Sequence, residues 1–343
     1  MDLSDFETLD KLNELEMAID VLSEERDLAL AQNKRLKKDV IDAERRANLS
    51  EQIAASIKKP PKWLTPKRKK KEHYGTVCAM LSDTHFDENV SSIEMGGTNE
   101  YNREIATERL KNFFSKTIEL SRDYTSGVTY DGAVLFLGGD IVSGDIHEEL
   151  KESNDDTTLG TVVYWTEQLT AGVKMLGEHF EKVHVPCVVG NHGRRTRKSR
   201  MKKRARDNFD WFIYVHLAAH FKDHPGITFD VSDEADAIID IYDTKFLLTH
   251  GDQVSGGQGI GGIWPPIKRM QARKQINTPH DVLVMGHWHQ LIQAATNGLI
   301  VNGSLKGWDE YAKIQNFAYE PPAQAWWVVT PEHGVTFQAP IFV

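Results

Sequence analysis

The chain has 343 residues, 40% of them hydrophobic, and a formal charge of −9. This is too long for one small domain and suits two domains, or one large domain with an extension. The acidic N-terminus MDLSDFETLD has no signal-peptide core and no apolar run approaches membrane-span length, so a cytoplasmic protein is expected.

Residues 1–57 contain no Gly and no Pro. Reading every 3.5 residues from Leu12 to Ile57 gives fourteen positions, of which eleven are apolar. Sustained over about six heptads, that seam predicts a coiled-coil helix and a homodimer. Asn33 falls at an a-type position, where a buried amide fixes register. Residues 58–74, KKPPKWLTPKRKKKEHY, predict a basic, Pro-containing linker. From Gly75 to Val343 the pattern predicts one catalytic domain. The apolar runs TVCAMLSD, GAVLFLGGD, VHVPCVVGNH, FLLTHGD and DVLVMGHWH read as strands. Helix-like stretches, Arg103 to Arg122 and Thr161 to Lys182, separate the first three, which is the grammar of an α/β fold. AIIDIY, GLIVNGS, AWWVV and GVTFQAP are closer together and predict antiparallel strands. Cys78 and Cys187 sit in apolar runs and read as core residues of a reducing compartment.

Each of the five runs ends in groups that bind metals. Asp83 and His85 follow the first, Asp140 the second, Asn191 and His192 the third, His250 the fourth, and His287 and His289 the fifth. Polar residues at the carboxyl ends of strands converge on one crevice. On an extended segment, alternate residues face the same way, so D-x-H and H-x-H would each present two ligands. Glycines before Asp140, Asn191 and His287 permit close approach. Carboxylate, imidazole and amide oxygen without thiolate suit Mn²⁺, Fe or Zn²⁺ in a site with open positions. That many ligands are too many for one ion and suit two that share a carboxylate.

In this order and with these glycines, the blocks from about Thr76 to Gln290 resemble the calcineurin-like metallophosphoesterase superfamily. The resemblance implies a two-sheet sandwich flanked by helices. It implies that Asp83, His85 and His289 bind one ion, that Asn191, His250 and His287 bind a second, and that Asp140 bridges them. A hydroxide between the ions would be the nucleophile and His192 the general acid. One position departs from the family: Gly193 stands where an Asp or Glu commonly supports the catalytic histidine. Asp87 and Asp145 are candidates to replace it.

The substrate must be read from local features. Lys58 to Lys71 holds eight basic residues and Arg194 to Arg206 nine, neither with an acid. Setting these aside leaves 24 Lys and Arg against 50 Asp and Glu. Such concentrated positive charge beside the catalytic histidine attracts a polyanion. Arg194, Arg195, Arg197, Lys198 and His147 are candidate substrate contacts, and Trp264 could stack on a base. The implied activity is a nuclease or exonuclease acting on DNA, similar to the DNA-repair exonuclease and phage-type branches. A phosphomonoesterase or protein phosphatase would use the same metals. A coiled-coil scaffold with an accessory phosphoesterase fold is the third alternative.

Overall fold

The structure is a computed structural model that describes residues 26, 30, 32–34, 37, 61–64, 73–254 and 262–343. The chain divides after Ser56 into two units. The coiled-coil expectation for residues 1–57 lies outside the described residues, apart from Arg26, Leu30, Gln32, Asn33, Lys34 and Lys37, which are helical and exposed.

In the second unit, β1 (Tyr74–Leu81) leads through α1 (Arg103–Glu119) to β2 (Thr129–Leu137). Helices α2 (Glu148–Ser153) and α3 (Thr158–Phe180) lead to β3 (Val183–Cys187), and α4 (Phe209–His220) to β4 (Ile227–Val231). These four strands pair in parallel. On the far side of β1, β10 (Ala323–Thr330) and β11 (Gly334–Phe342) add an antiparallel hairpin. The order is β11-β10-β1-β2-β3-β4. A second sheet has the order β5-β6-β7-β9-β8. It is built from β5 (Asp236–Ile241), β6 (Thr244–Thr249), β7 (Val282–Met285), β8 (Ile292–Ala294) and β9 (Leu299–Val301). Between β6 and β7 runs α5 (Trp264–Asn277), and the short α6 (Glu310–Ile314) precedes β10.

The central strands are continuous apolar runs because both of their faces are covered. Every residue of β1 after Tyr74 is buried. One face meets the second sheet, where Cys78, Met80, Val134, Phe136 and Trp327 pack with Ile239, Phe246, Leu248, Val284 and Ile300. Helices α1 and α3 pack on the other face. The first buries Ala106, Leu110, Phe113, Phe114 and Ile118, an i, i+4, i+7 stripe. It starts at Asn102, whose Oδ1 accepts from the Ile105 N–H at 2.9 Å. On the outer face of the second sheet, Ile267 of α5 packs with Leu247, Leu283, Met285 and Leu299.

Three findings depart from the sequence reading. Leu64, within the segment expected to be linker, is fully buried in the inter-sheet core, and its carbonyl accepts from the Tyr242 N–H at 2.9 Å. Packed structure thus begins ahead of residue 75. β9, expected among antiparallel strands, pairs antiparallel with β8 but parallel with β7. β4 and α4 have no counterpart in the sequence reading. Cys78 and Cys187 are free and buried. Among the described residues, no helix is long and apolar enough to cross a membrane.

Candidate metal centre

The ends of β1, β2 and β3 in one sheet and of β6 and β7 in the other deliver their polar residues to one place. Beyond its last residue, β1 keeps its grip on β2: Asp83 N donates to Gly139 O and His85 N to Asp140 O, both at 3.1 Å. The D-x-H and H-x-H segments are not extended, contrary to expectation. Asp83, His85, Asp140, His287 and His289 all have left-handed φ, between 43° and 70°. Non-glycine residues avoid this region, and such strain gathers at functional sites. Kinks, not strand alternation, aim these side chains. Small neighbours make room: a Cβ on Gly190 would lie 2.1 Å from Asp140 Oδ1, and one on Gly286 would lie 2.2 Å from Asp83 Oδ2.

Three overlapping groups of ligand atoms result, each within 4.8 Å: Asp83, His85 and His289; His85, Asp140 and His192; and Asp140, His250 and His287. His85 Nε2 lies 3.1 Å from His289 Nε2, which is 3.5 Å from Asp83 Oδ1. On the other side, His250 Nε2 is 3.0 Å from Asp140 Oδ2 and 3.1 Å from Asn191 Oδ1. Ligands bonded tetrahedrally at about 2.0 Å stand about 3.3 Å apart, so these lone-pair-bearing atoms have the spacing of a cation's first shell. Asp140 Oδ2 also lies 4.0 Å from His85 Nε2, which puts its carboxylate between the two outer groups. The set therefore fits divalent metal binding. His192 belongs to the middle group, so geometry alone permits it as a ligand.

Backbone carbonyls fix the imidazoles. His250 Nδ1 is 2.8 Å from Gly138 O, and His192 Nδ1 is 2.9 Å from Ser143 O. A carbonyl only accepts, so each Nδ1 donates and each Nε2 is left for the site. Electrostatics point the same way. Burial opposes charge on His250, yet the adjacent Asp140 carboxylate lifts it to about 10. Burial also pushes Asp140 up, but His250 and His192 pull it well below the ordinary carboxylate range. A buried carboxylate of this kind demands positive charge beside it. His85 and His287 are held down, first by burial and then by Lys306 and His250 respectively, which suits neutral ligands. Burial also holds His192 down, with Asp140 opposing.

Neither candidate to support His192 does so. Asp87 is buried against α1 and α3, where Arg103 Nε donates to it at 2.8 Å and Trp165 Nε1 at 2.9 Å. Asp145 is exposed. The carboxylate near His192 and His85 is instead Glu88, whose Oε2 is 3.4 Å from His85 Nδ1 and 3.5 Å from Ser143 Oγ. Lys306 Nζ holds Glu88 Oε1 at 2.7 Å and Asp309 Oδ2 at 2.5 Å. The sequence reading missed Glu88, Lys306, Asp309 and Asp210. Glu88, three residues after His85, had a positional signal; Lys306, in the turn after β9, had none.

The candidate substrate residues are distributed unevenly. His147 is exposed with its ring 5.9 Å from that of His192. Arg194 is folded onto its own loop, donating to the carbonyls of Asn191, Thr196 and Arg197. Arg195 pairs with Asp207 and Arg197 with Glu148, while Arg204 makes a two-pronged bond to Asp252. Lys198, Arg200, Lys202 and Lys203 are exposed. Trp264 opens α5, with Lys268 Nζ 6.0 Å from its ring. A shallow recess beside Asn191 is lined by Arg194, Arg200, Lys202, Lys203 and Arg204.

No family model matches the chain, and no curated protein matches it. Among solved structures it is similar to vacuolar protein sorting 29 from Cryptosporidium parvum, at 14% identity over 78% of this chain and 97% of that one, with a TM-score of 0.34. It is also similar to an archaeal phosphodiesterase, at 14% identity over 78% and 99% with a TM-score of 0.36. YfcE, a phosphoesterase from E. coli, shares 16% identity over 77% and 99%, with a TM-score of 0.28. Two packed sheets flanked by helices bring all five motif blocks to one rim, the two-sheet arrangement expected from the sequence.

Proposed function

We propose that the chain is a divalent-metal-dependent phosphoesterase whose substrate is a nucleic-acid phosphodiester, with DNA as the expected polymer. The observation that carries this reading is the recess beside Asn191. A candidate metal ligand, Asn191, shares one hollow with the exposed cations Arg200, Lys202 and Lys203. A phosphomonoester needs few positive groups to hold it. A polynucleotide backbone repeats its charge and rewards an array of cations.

Asp83, His85 and His289 would hold one ion, Asn191, His250 and His287 the other, and Asp140 would reach both. When bound, the ions, expected to be Mn²⁺, would polarise the phosphoryl oxygens and offset the charge of the transition state. The chain's own residues supply orientation and the proton. His192 carries its Nδ1 proton against Ser143 O, so the proton given to a leaving oxygen would sit on Nε2. The Asp140 carboxylate fixes the backbone of that histidine, accepting from His192 N at 2.6 Å. The exposed lysines and arginines would steer the polymer toward this centre. A homodimer through the heptads of residues 1–57 belongs to the same proposal.

The test is a Mn²⁺-dependent digestion panel of linear, circular, single- and double-stranded substrates, with Asp140→Asn as control. Cleavage of DNA by the native chain and loss of it in the variant is expected. A preparation that hydrolyses p-nitrophenyl phosphate yet leaves every nucleic acid intact would sink the substrate assignment. Activity that survives Asp140→Asn would sink the two-metal reading.

A further inference from the structure

We propose that Asp210 is a positioning residue for the second half of the metal centre; this rests on the two-ion reading above. Asp210 is fully buried in the first turn of α4. Its Oδ2 accepts from Asp140 N at 3.0 Å and from Gly190 N at 2.9 Å, and its Oδ1 accepts from Ile141 N at 3.1 Å. One carboxylate therefore joins the loop after β2 to the loop after β3. The first loop carries Asp140. The second carries Asn191, the residue after Gly190. The distance between those two ligands is set by a side chain that is itself no ligand.

A carboxylate is an expensive way to join two loops. Burying it costs several kcal/mol unless hydrogen bonds or a cation offset the loss of water. Among the described residues, the ion pairs include no cation on Asp210. Its partners are backbone N–H groups, and three donors need an acceptor with two oxygens and no hydrogen of its own. An asparagine would turn an amide N–H toward one of them. Asn208 completes the brace: its Nδ2 donates to Gly190 O at 2.8 Å, and its Oδ1 accepts from Asp210 N at 2.8 Å.

The same packing accounts for Gly193. A Cβ there would lie 2.3 Å from Asn208 Oδ1 and 2.9 Å from Asp210 Oδ1. The space that a side chain after His192 would fill is already taken by the start of α4. The carboxylate that steadies these loops enters from that helix, about twenty residues along the chain, rather than from position 193.

Asp210→Asn keeps the volume and removes one acceptor. Calorimetric titration of the metal-free full chain with Mn²⁺ should show the second ion, which takes both Asp140 and Asn191, weakened by about ten- to a hundredfold, the usual cost of losing an outer-shell partner, and the first, which takes Asp140 alone of the two, weakened less. Electron paramagnetic resonance should show a spin-coupled pair in the native chain and an isolated-ion spectrum in the variant at the same loading. Native-like affinities for both ions would overturn the proposal. So would a parallel loss of both, with a lower melting temperature of the metal-free protein, since that marks a merely structural role. If Asp210→Asn does not fold, Asp210→Glu keeps the charge but displaces it by one methylene, and the same selective loss is expected; its absence overturns the proposal equally. A native chain that binds no Mn²⁺ would remove the metal-centre reading itself, which is a different outcome.

Discussion

Nζ of Lys306 lies 2.7 Å from Oε1 of Glu88, with both side chains buried behind the candidate ligand His85. Burial would strip the proton from such a lysine, yet Asp309 and Glu88 raise its pKa above the ordinary lysine value. The pair joins the loop after β1 to the turn after β9. Lys306→Met removes the cation and leaves two buried carboxylates facing each other. Breaking a buried pair from one side costs about 3–5 kcal/mol. Guanidinium unfolding of the metal-free protein at neutral pH reads that loss directly. A change below about 1 kcal/mol, the scale of a surface pair, would mean that the network is not holding these loops.

His192 lies in a ligand group with His85 and Asp140, while its Nδ1 is committed to Ser143 O. The two possible roles part on substitution. As proton donor, His192→Ala lowers turnover by about 10²–10⁴ and leaves the bound metal at the native level. As ligand, it would reduce the metal content, as His250→Ala is expected to do. Metal analysis by mass spectrometry alongside initial rates separates them. Metal loss in His192→Ala equal to that in His250→Ala would reassign the residue to the ligand set.

Four cations, Lys198, Arg200, Lys202 and Lys203, are exposed, whereas Arg195, Arg197, Arg204 and Arg206 are engaged with acids. Each phosphate neutralised contributes about −0.9 to the slope of log affinity against log salt on duplex DNA. Replacing all four by serine in an Asp140→Asn background should flatten that slope by about 3–4 units and weaken binding without regard to sequence. Fluorescence anisotropy across a salt series measures it. An unchanged slope would place the polymer elsewhere on the surface.

The candidate ligands were legible because each one follows the end of a strand. An apolar run followed by Asp83, Asp140 or His250 shows both the strand and the group at its tip, and burial of the run turns the pattern into a fold. The mechanism of convergence was not legible. Left-handed φ at Asp83, His85 and His289 leaves no mark in composition, since none of them is glycine. The supporting groups were hidden for a different reason. Asp210 lies twenty residues from Gly190, and Lys306 more than two hundred from Glu88, so only tertiary packing brings them together. The basic run also misled in part. Nine cations among thirteen residues read as one patch, but Arg204 is fastened to Asp252 and Arg194 to its own backbone, which makes them architecture for the loop.

Away from the metal centre, His184 on β3 gives a test of the fold in acid. Its side chain is buried with Nδ1 3.0 Å from Thr228 Oγ1, and burial pushes its pKa down to about 4. The unfolded chain binds this proton near pH 6.5, the folded chain only near 4. Between those values the unfolded state holds more protons, so stability rises with pH through the window. His184 therefore contributes no penalty above about pH 6.5 and an increasing one as pH falls toward 4, reaching about 3 kcal/mol. His184→Gln cannot titrate. The difference in unfolding free energy between native and variant protein, measured at pH 7.5 and again at pH 4.5 in the presence of a chelator, should shift by most of that amount in favour of the variant. Groups elsewhere in the chain contribute equally to both proteins and cancel from the difference. Parallel pH profiles would mean that His184 is solvated or charged in the fold, and that the β3–β4 junction is less tightly closed than its burial implies.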